Sequence, residues 1–467
     1  MTCENLVLVT VDALRHDALS CTGSAGASTP YLDALAGRGV LFDQAISNGP
    51  RTQASFPSIM CSLYPLVAGE RRGLPAGAAT LAETIRREGY ATAGFNPSNP
   101  FLTRETGYDR GFDLFIDFWD VHDRGGSRAG RGPWATVKKS VHDAMGRRNL
   151  GFLMLFQALV LAEGGQNLTG NLVTEQALAW LAKQNRPFFV WLHYMDVHFP
   201  YQPLPGERSW SDRLSYLRGM AGLLGGSPAH AVRVLRRLYD RRVELVDGHI
   251  GDLVEGLRNL GVEHETVVVV TSDHGEQLGE RGRYAHGPDL HDELLRVPLI
   301  IRDPAHPGSG VVREQVELLG LAPTLLELLQ IEPPETFLGS SFLPLVHGDP
   351  DAGAAHIFSE AMHGGARLSR TGVQDTHRIV SCRGGGWKYV LDDEGPTEEL
   401  YNLERDPGEC IDLIADRPRK AAELRRLVEN HYLLVAREAA RHDHEGERPL
   451  ADDDEEIRRR LAALGYL

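Results

Sequence analysis

The stretch Thr266-Val267-Val268-Val269-Val270-Thr271-Ser272-Asp273-His274-Gly275-Glu276 decides how this chain is read. Residues 266–270 are β-branched throughout, an unbroken run that predicts a strand buried on both faces. A strand with two dry faces belongs to a sheet covered by helices. Just past its carboxyl end stand a carboxylate and an imidazole, where open α/β sheets place their ligands. Asp and His together are also a common pair for holding a divalent metal.

Working outward, residues 6–11 (Leu-Val-Leu-Val-Thr-Val) form a second buried strand, ending at Asp12. The spacing predicts helices over 29–39, with a Thr-Pro start and a Gly stop, and over 79–89. A short strand follows at 90–95, then a Gly-, Asp- and Arg-rich loop at 111–133. A helix at 174–184 precedes a buried strand at 187–193. That strand runs into the polar cluster His193-Tyr194-Met195-Asp196-Val197-His198. Helical periodicity returns at 232–260, and 297–301 is another strand. Alternating strands and helices predict an α/β fold with a mostly parallel sheet covered on both faces. The pattern changes at the polar stretch 347–355. Short strands at 378–382 and 387–391 and a helix near 421–439 predict a small α+β subdomain, giving units 1–350 and 351–467. The acidic run 452–456 opens a short helix, where acids suit the macrodipole.

The 467 residues are 42% apolar and 24% charged, as in folded globular proteins. The net charge of −15 argues against a nucleic-acid binder. The five cysteines are dispersed without CxxC spacing, so reduced thiols are expected. Met1-Thr2-Cys3-Glu4 carries neither a basic nor a separate apolar region of a secretory signal. The apolar stretch 150–162 is too short to span a bilayer and reads as a buried helix or flap, with membrane-surface contact as the alternative. A cytoplasmic protein with no transmembrane segment is the expectation.

Three strands thus end in polar residues: Asp12, Asp196 with His198, and Asp273 with His274. In a parallel sheet all three ends share one edge. Taken singly, Asp12 also fits a helix N-cap and His198 an ordinary loop histidine. A hydroxyl-rich segment, Asn48-Gly49-Pro50-Arg51-Thr52-Gln53-Ala54-Ser55-Phe56-Pro57-Ser58-Ile59, runs from a Gly-Pro turn into a helix start. A hydroxyl there gains from the exposed amides and the helix dipole, which favour an anion. Thr52 is the candidate nucleophile; a plain N-cap is its other reading.

These residues resemble the sulfatases of the alkaline-phosphatase superfamily. The opening strand Asn5 to Asp12 carries the likeness, as do Thr29-Pro30-Tyr31-Leu32-Asp33 with Gly39-Val40-Leu41-Phe42 and the segment His193 to Tyr201. So do Thr271 to Glu276, His286-Gly287, and Glu293-Leu294-Leu295-Arg296-Val297-Pro298-Leu299. Further on, Trp387-Lys388-Tyr389, Glu399-Leu400-Tyr401-Asn402-Leu403 and Asp406-Pro407-Gly408-Glu409 fit as well. The resemblance implies a large mixed sheet sandwiched by helices, a small C-terminal subdomain, and hydrolysis or transfer of a phosphoryl or sulfuryl group. It is weakest over 120–165 and 205–230.

The chain departs from that family at its nucleophile. Sulfatases carry Cys or Ser in a Cys/Ser-x-Pro-x-Arg motif, matured to formylglycine. Alignment on Leu63-Tyr64-Pro65 puts Thr52 at that position, and alignment on Ser55-Phe56-Pro57 puts Ser55 there. Neither register keeps the arginine, and threonine cannot become formylglycine. The first register is favoured, and it resembles the phosphodiesterase and phosphoglycerol-transferase branches. By that resemblance Asp12, Thr52, Asp273 and His274 hold one divalent ion. Ala13 replaces the second acid of the family's Asp-Asp pair, so Mn²⁺ or Zn²⁺ is favoured, with Ca²⁺ or Mg²⁺ less suited. His198 and His286 are expected to serve the leaving group, and Arg51 and Asn96 to contact a small anionic ester. Asp196 would matter only as a ligand of a second ion. Three readings stay open: a phosphate-ester hydrolase or transferase, a sulfate-ester hydrolase without formylglycine, and a non-catalytic anion binder.

Overall fold

Side chains alternate across a strand, so each strand of a two-faced sheet feeds two cores. In β1 (Asn5–Val11), Leu6 and Leu8 enter one apolar cluster while Val7, Val9 and Val11 enter the other. The computed structural model describes residues 4–69, 73–117, 120, 170–199, 201, 228–306, 308–363, 377–393 and 397–443. The segments 150–162 and 452–456 lie outside them.

After β1 come β2 (Val40–Ile46), β3 (Ala91–Phe95), β4 (Leu114–Ile116), β5 (Phe188–Tyr194) and β6 (Thr266–Ser272). A two-stranded hairpin, β7 (Gln277–Leu278) and β8 (Tyr284–Ala285), precedes β9 (Arg296–Arg302), β10 (Gly310–Val312) and β11 (Val316–Glu317). Among the described residues the main sheet has nine strands, in the order β10-β2-β9-β6-β1-β5-β3-β4, with β11 also on β2. Among the described strands of this sheet, only β9 runs against its neighbours. Helices Pro30–Ala36, Gly170–Leu181 and Pro228–Asn259 cover one face through residues such as Leu32, Val173 and Ile250. Helices Thr52–Cys61, Leu81–Arg87 and Leu321–Leu328 cover the other through Phe56, Leu81 and Leu325. This is the mostly parallel, helix-sandwiched sheet that the sequence predicts.

Two local differences have simple causes. The loop expected at 111–133 contains β4, parallel to β3 through Ala93↔Leu114 and Phe95↔Ile116. Three apolar residues between Asp113 and Asp117 are too few to show a period. The helix expected at 79–89 starts at Leu81, because Thr80 accepts from Glu83 N at 3.0 Å while Glu83 Oε2 accepts from Thr80 N at 3.0 Å, a capping box.

The second sheet is antiparallel and four-stranded: β12 (Ile357–His363), β13 (His377–Gly384), β14 (Trp387–Asp392) and β15 (Thr397–Asn402). Helix Pro418–Asp443 packs on it, and Val380, Tyr389, Leu400 and Leu424 join the same apolar cluster as Leu8 and Phe56. Fully buried Lys388 ties this sheet to the first. Its Nζ lies 3.0 Å from Asp292 and 2.7 Å from Glu409, and Arg383 meets Asp292 at 2.6 Å. A buried ammonium is tolerated only with such partners.

Candidate active site

Register brings three strand ends together. Val11 faces Tyr194 of β5 and Ser272 of β6, so the residues that follow lie on one sheet edge. Ser272 Oγ donates to Val11 O at 2.6 Å and accepts from Leu14 N at 2.9 Å, fixing the two chain reversals to each other. After Asp12 the backbone turns through Ala13 at φ 60°. That left-handed conformation costs a non-glycine residue about 1 kcal/mol. It is held by Ala13 N donating to Asp273 Oδ1 at 3.3 Å and by Tyr239 Oη donating to Ala13 O at 2.9 Å.

Three lone pairs converge in the turn. His274 Nε2 lies 3.6 Å from Asp12 Oδ1 and 3.5 Å from Asp273 Oδ2. All three residues are fully buried, and these three atoms have no hydrogen-bond partner among the described residues. His274 Nδ1 faces Gly275 O at 2.7 Å and therefore carries the ring proton, leaving Nε2 as a bare acceptor. Burial, reinforced by neighbouring His286, holds the His274 imidazole down at about 4. Burial and then the charge of Asp12 push Asp273 well above the carboxylate range. Burial opposes ionisation of Asp12 as well, but His198, His193 and His274 together outweigh it and keep that carboxyl far below its usual value. Each orphaned buried polar atom costs ~1–3 kcal/mol. Two acidic oxygens and a neutral imidazole lone pair within 4.8 Å of one another suit a cation.

Thr52, 4% exposed, opens helix Thr52–Cys61 and donates from Oγ1 to Asp12 Oδ2 at 3.3 Å. Gly49 permits the tight entry to that helix, since a Cβ there would stand 2.4 Å from Ala54 Cβ. The alternative hydroxyl, Ser55 Oγ, donates instead to Arg51 O at 3.1 Å in its own helix. Thr52, Asp12, Asp273 and His274 are thus brought together, and Ser55 is not.

Two residues not anticipated for the site reach the same carboxylate. Asn99 Nδ2 donates to Asp12 Oδ2 at 2.9 Å, and His193 Nε2 lies 3.4 Å from it. Trp191 Nε1 donates to Thr10 Oγ1 at 2.9 Å, and that hydroxyl lies 2.9 Å from His193 Nδ1. The relay favours a proton on Nε2, facing Asp12. His193 shares a strand face with Trp191 and packs on Phe56, so period-2 alternation could have placed it on the side of the Thr52 helix. Asn96 turns its Nδ2 to Asn99 O and Leu102 O within its own loop, while its buried Oδ1 has no partner among the described residues. The loop reaches Asp12 through Asn99, and Asn96 Nδ2, the donor that an anionic ester would use, is held inside the loop. Nothing in Asn96-Pro97-Ser98-Asn99 distinguishes the two asparagines by sequence.

On the open side, the His286 ring centroid lies 4.5 Å from that of His274 and 5.0 Å from that of His198. Glu276 receives His286 Nδ1 at 2.9 Å and Tyr201 Oη at 2.9 Å. Burial disfavours a charged His286, but Glu276 overcomes this and raises its pKa. Arg51 donates to Met362 O in β12 at 2.7 Å, and its charge opposes protonation of His286.

Asp196 sits at the shared edge but turns away. Its Oδ1 accepts from Gly170 N at 3.4 Å, and it is not in the buried Asp12–Asp273–His274 group. Burial raises its pKa from 3.8 to about 6, against the Gly170 amide and Arg242. Between these values the unfolded carboxyl ionises while the folded one stays protonated, so stability falls as pH rises through that window. At ~1.4 kcal/mol per pH unit the penalty approaches about 3 kcal/mol above pH 6. Asp196→Asn is expected to raise the melting temperature at pH 8 and not at pH 4. An equal shift at both values would refute the buried-carboxyl account.

Comparison with known proteins follows the same lines. The sulfatase family model matches residues 4–331, and a model for the C-terminal part of N-sulphoglucosamine sulphohydrolase matches residues 279–433. The chain is 25% identical to steryl-sulfatase of Mus musculus over 508 aligned positions, covering 87% of this chain and 77% of that one. It is 25% identical to arylsulfatase A of Homo sapiens, covering 92% and 87%. Among solved structures, the phosphonate monoester hydrolase of Agrobacterium radiobacter has a TM-score of 0.70 at 23% identity, covering 94% and 96%. At that identity the likeness speaks to the fold.

Proposed function

This chain belongs to the sulfatase family of ester hydrolases, and from that premise we propose that it cleaves phosphate-type esters, phosphodiesters or phosphonate monoesters above all, with Thr52 as nucleophile. The observation that carries this reading is the Thr52 hydroxyl on Asp12 Oδ2, beside the three unpartnered ligand atoms. Asp12, Asp273 and His274 would hold a divalent ion, Mn²⁺ or Zn²⁺ better than Ca²⁺ because only two carboxylates are present. When bound, that ion neutralises oxyanion charge in the reacting group.

The protein's own groups do the rest. Asp12 Oδ2 orients the Thr52 hydroxyl, whose proton passes to solvent as Oγ1 attacks phosphorus. The Oγ1–P bond forms as the P–O bond to the leaving group breaks. His286 or His198 protonates the departing oxygen; the Glu276 contact keeps His286 supplied with a proton. Water then attacks phosphorus and gives its proton to the now neutral histidine, the Oγ1–P bond breaks to free the phosphoryl product, and Oγ1 takes a proton from solvent to restore the Thr52 hydroxyl. Asn99 and His193 hold the orientation of Asp12 throughout.

Sulfate esters are the weaker substrates on this reading. A sulfated formylglycine hydrate expels sulfate through its second hydroxyl, whereas a sulfated threonine has a methyl group there. Aryl phosphodiesters and phosphonate monoesters are expected to turn over at least ~10²-fold faster than aryl sulfates, about 2.7 kcal/mol in barrier. Assay of aryl phosphate monoesters, phosphodiesters, phosphonate monoesters and sulfates, each with Mn²⁺, Zn²⁺, Mg²⁺ or Ca²⁺, tests this. Sulfate turnover equal to or above the phosphorus esters would reject it in favour of a sulfatase that works without formylglycine.

A further inference from the structure

We propose that Asp303, His306 and His347 form a second, peripheral metal site that takes a transition metal such as Zn²⁺. One ligand atom from each lies within 4.8 Å of the other two. His306 Nδ1 is 2.7 Å from Asp303 Oδ2, and the two imidazole rings lie 4.3 Å apart between centroids.

The cluster stands apart from the reaction centre. β9 runs antiparallel to β6, with Leu299 opposite Thr271 and Arg302 opposite Val268. The chain therefore leaves β9 at the amino-terminal edge of β6, whereas Asp273 follows its carboxyl end. At ~3.3 Å per strand residue these edges are roughly 20 Å apart.

Each donor is fixed by its backbone. Asp303 is 5% exposed, and its Oδ1 accepts from Ala305 N at 2.8 Å. His306 N donates to Asp303 O at 3.3 Å, and Gly308 N to His306 O at 2.7 Å, closing a tight turn. His347 ends helix Leu343–Val346, its amide donating to Leu343 O at 3.2 Å and Pro344 O at 3.1 Å. The backbones are thus set before any ion arrives, while both rings face solvent, from which water can complete the coordination. Two imidazoles and one carboxylate select Zn²⁺, Ni²⁺ or Cu²⁺ over the oxygen-seeking Ca²⁺ and Mg²⁺. Bound there, the ion clips the turn between β9 and β10 to the segment that leads into β12.

The test is equilibrium dialysis of the full chain against Zn²⁺, with metal counted per chain. Wild type is expected to hold one more equivalent than the double variant His306→Ala/His347→Ala, whatever the Asp12 site holds. The single variant His347→Gln is expected to bind that equivalent at least tenfold more weakly. Turnover of the aryl esters at saturating metal is expected to be unchanged in both. In Asp273→Asn, Zn²⁺ should still raise the melting temperature, and adding the two histidine substitutions should abolish that rise. Equal zinc content in wild type and the double variant would overturn the proposal, as would a missing thermal response in Asp273→Asn.

Discussion

Thr52→Ala is expected to lower kcat/KM for the best phosphorus ester by ~10⁴-fold or more, about 5.5 kcal/mol of transition-state stabilisation. The substitution removes the one hydroxyl among the described residues that hydrogen bonds Asp12, and Ser55 cannot replace it because its Oγ is committed to Arg51 O. Thr52→Ser keeps the hydroxyl and is expected to retain activity within ~10²-fold of wild type. The intermediate gives a separate readout. Rapid acid quench during turnover should trap one phosphoryl group on the peptide that carries Thr52, in wild type and Thr52→Ser only. Thr52→Ala loses so little volume at a helix start that its fold should survive, and an unchanged melting curve checks this. Full activity in Thr52→Ala would remove threonine from the chemistry altogether.

The second large effect is expected from the ligand trio. Chelation of the protein should cut turnover by about 10³-fold, because several kcal/mol of charge stabilisation is lost with the ion. Restoring Mn²⁺ or Zn²⁺ should recover it. Binding also stabilises the fold by mass action, ~2.7 kcal/mol at a hundredfold excess over Kd. Asp273→Asn replaces an acidic oxygen, Oδ2, that lies 3.5 Å from His274 Nε2. That variant should lose the metal equivalent at this site together with activity. His198→Ala should lower turnover and leave metal content intact, since His198 is not among the converging donors. A chelated protein of full activity would contradict the metal reading. A metal-free, inactive and well-folded wild type would favour the non-catalytic anion binder.

The site also explains why the strand ends must be so well ordered. Gly275 N donates to Leu294 O at 2.7 Å and Glu276 N to Glu293 O at 3.0 Å. A Cβ on Gly275 would stand 2.1 Å from Glu293 O. Next to Glu293, Asp292 is the carboxylate that meets Lys388 and Arg383 of the second sheet. Packing of the two sheets is thereby coupled to the loop that carries Asp273, His274 and Glu276. Arg51 makes a similar link from the Thr52 helix to Met362 of β12.

Read alone, the sequence determined the sheet and the edge where chemistry would gather. A β-branched run with no polar face reads as a doubly covered strand, and the carboxyl ends of parallel neighbours share one edge. That logic reached Asp12, Asp273 and His274 from periodicity, and the family resemblance added Thr52 in place of the usual nucleophile. Tertiary structure alone decided the finer assignments. Whether Thr52 or Ser55 faces Asp12 depends on the rotation of one helix, and both hydroxyls suit the helix start. Asn96 and Asn99 have the same chemistry three residues apart, and only the path of their loop sends Asn99 to Asp12 and Asn96 into its own backbone. His193 lies inside a strand, and Asp196 turns towards Gly170 although it sits at the shared edge. Asp303, His306 and His347 are brought together by the antiparallel course of β9. Side-chain direction at the end of an element is set by packing against residues far away in the chain, which no local pattern records.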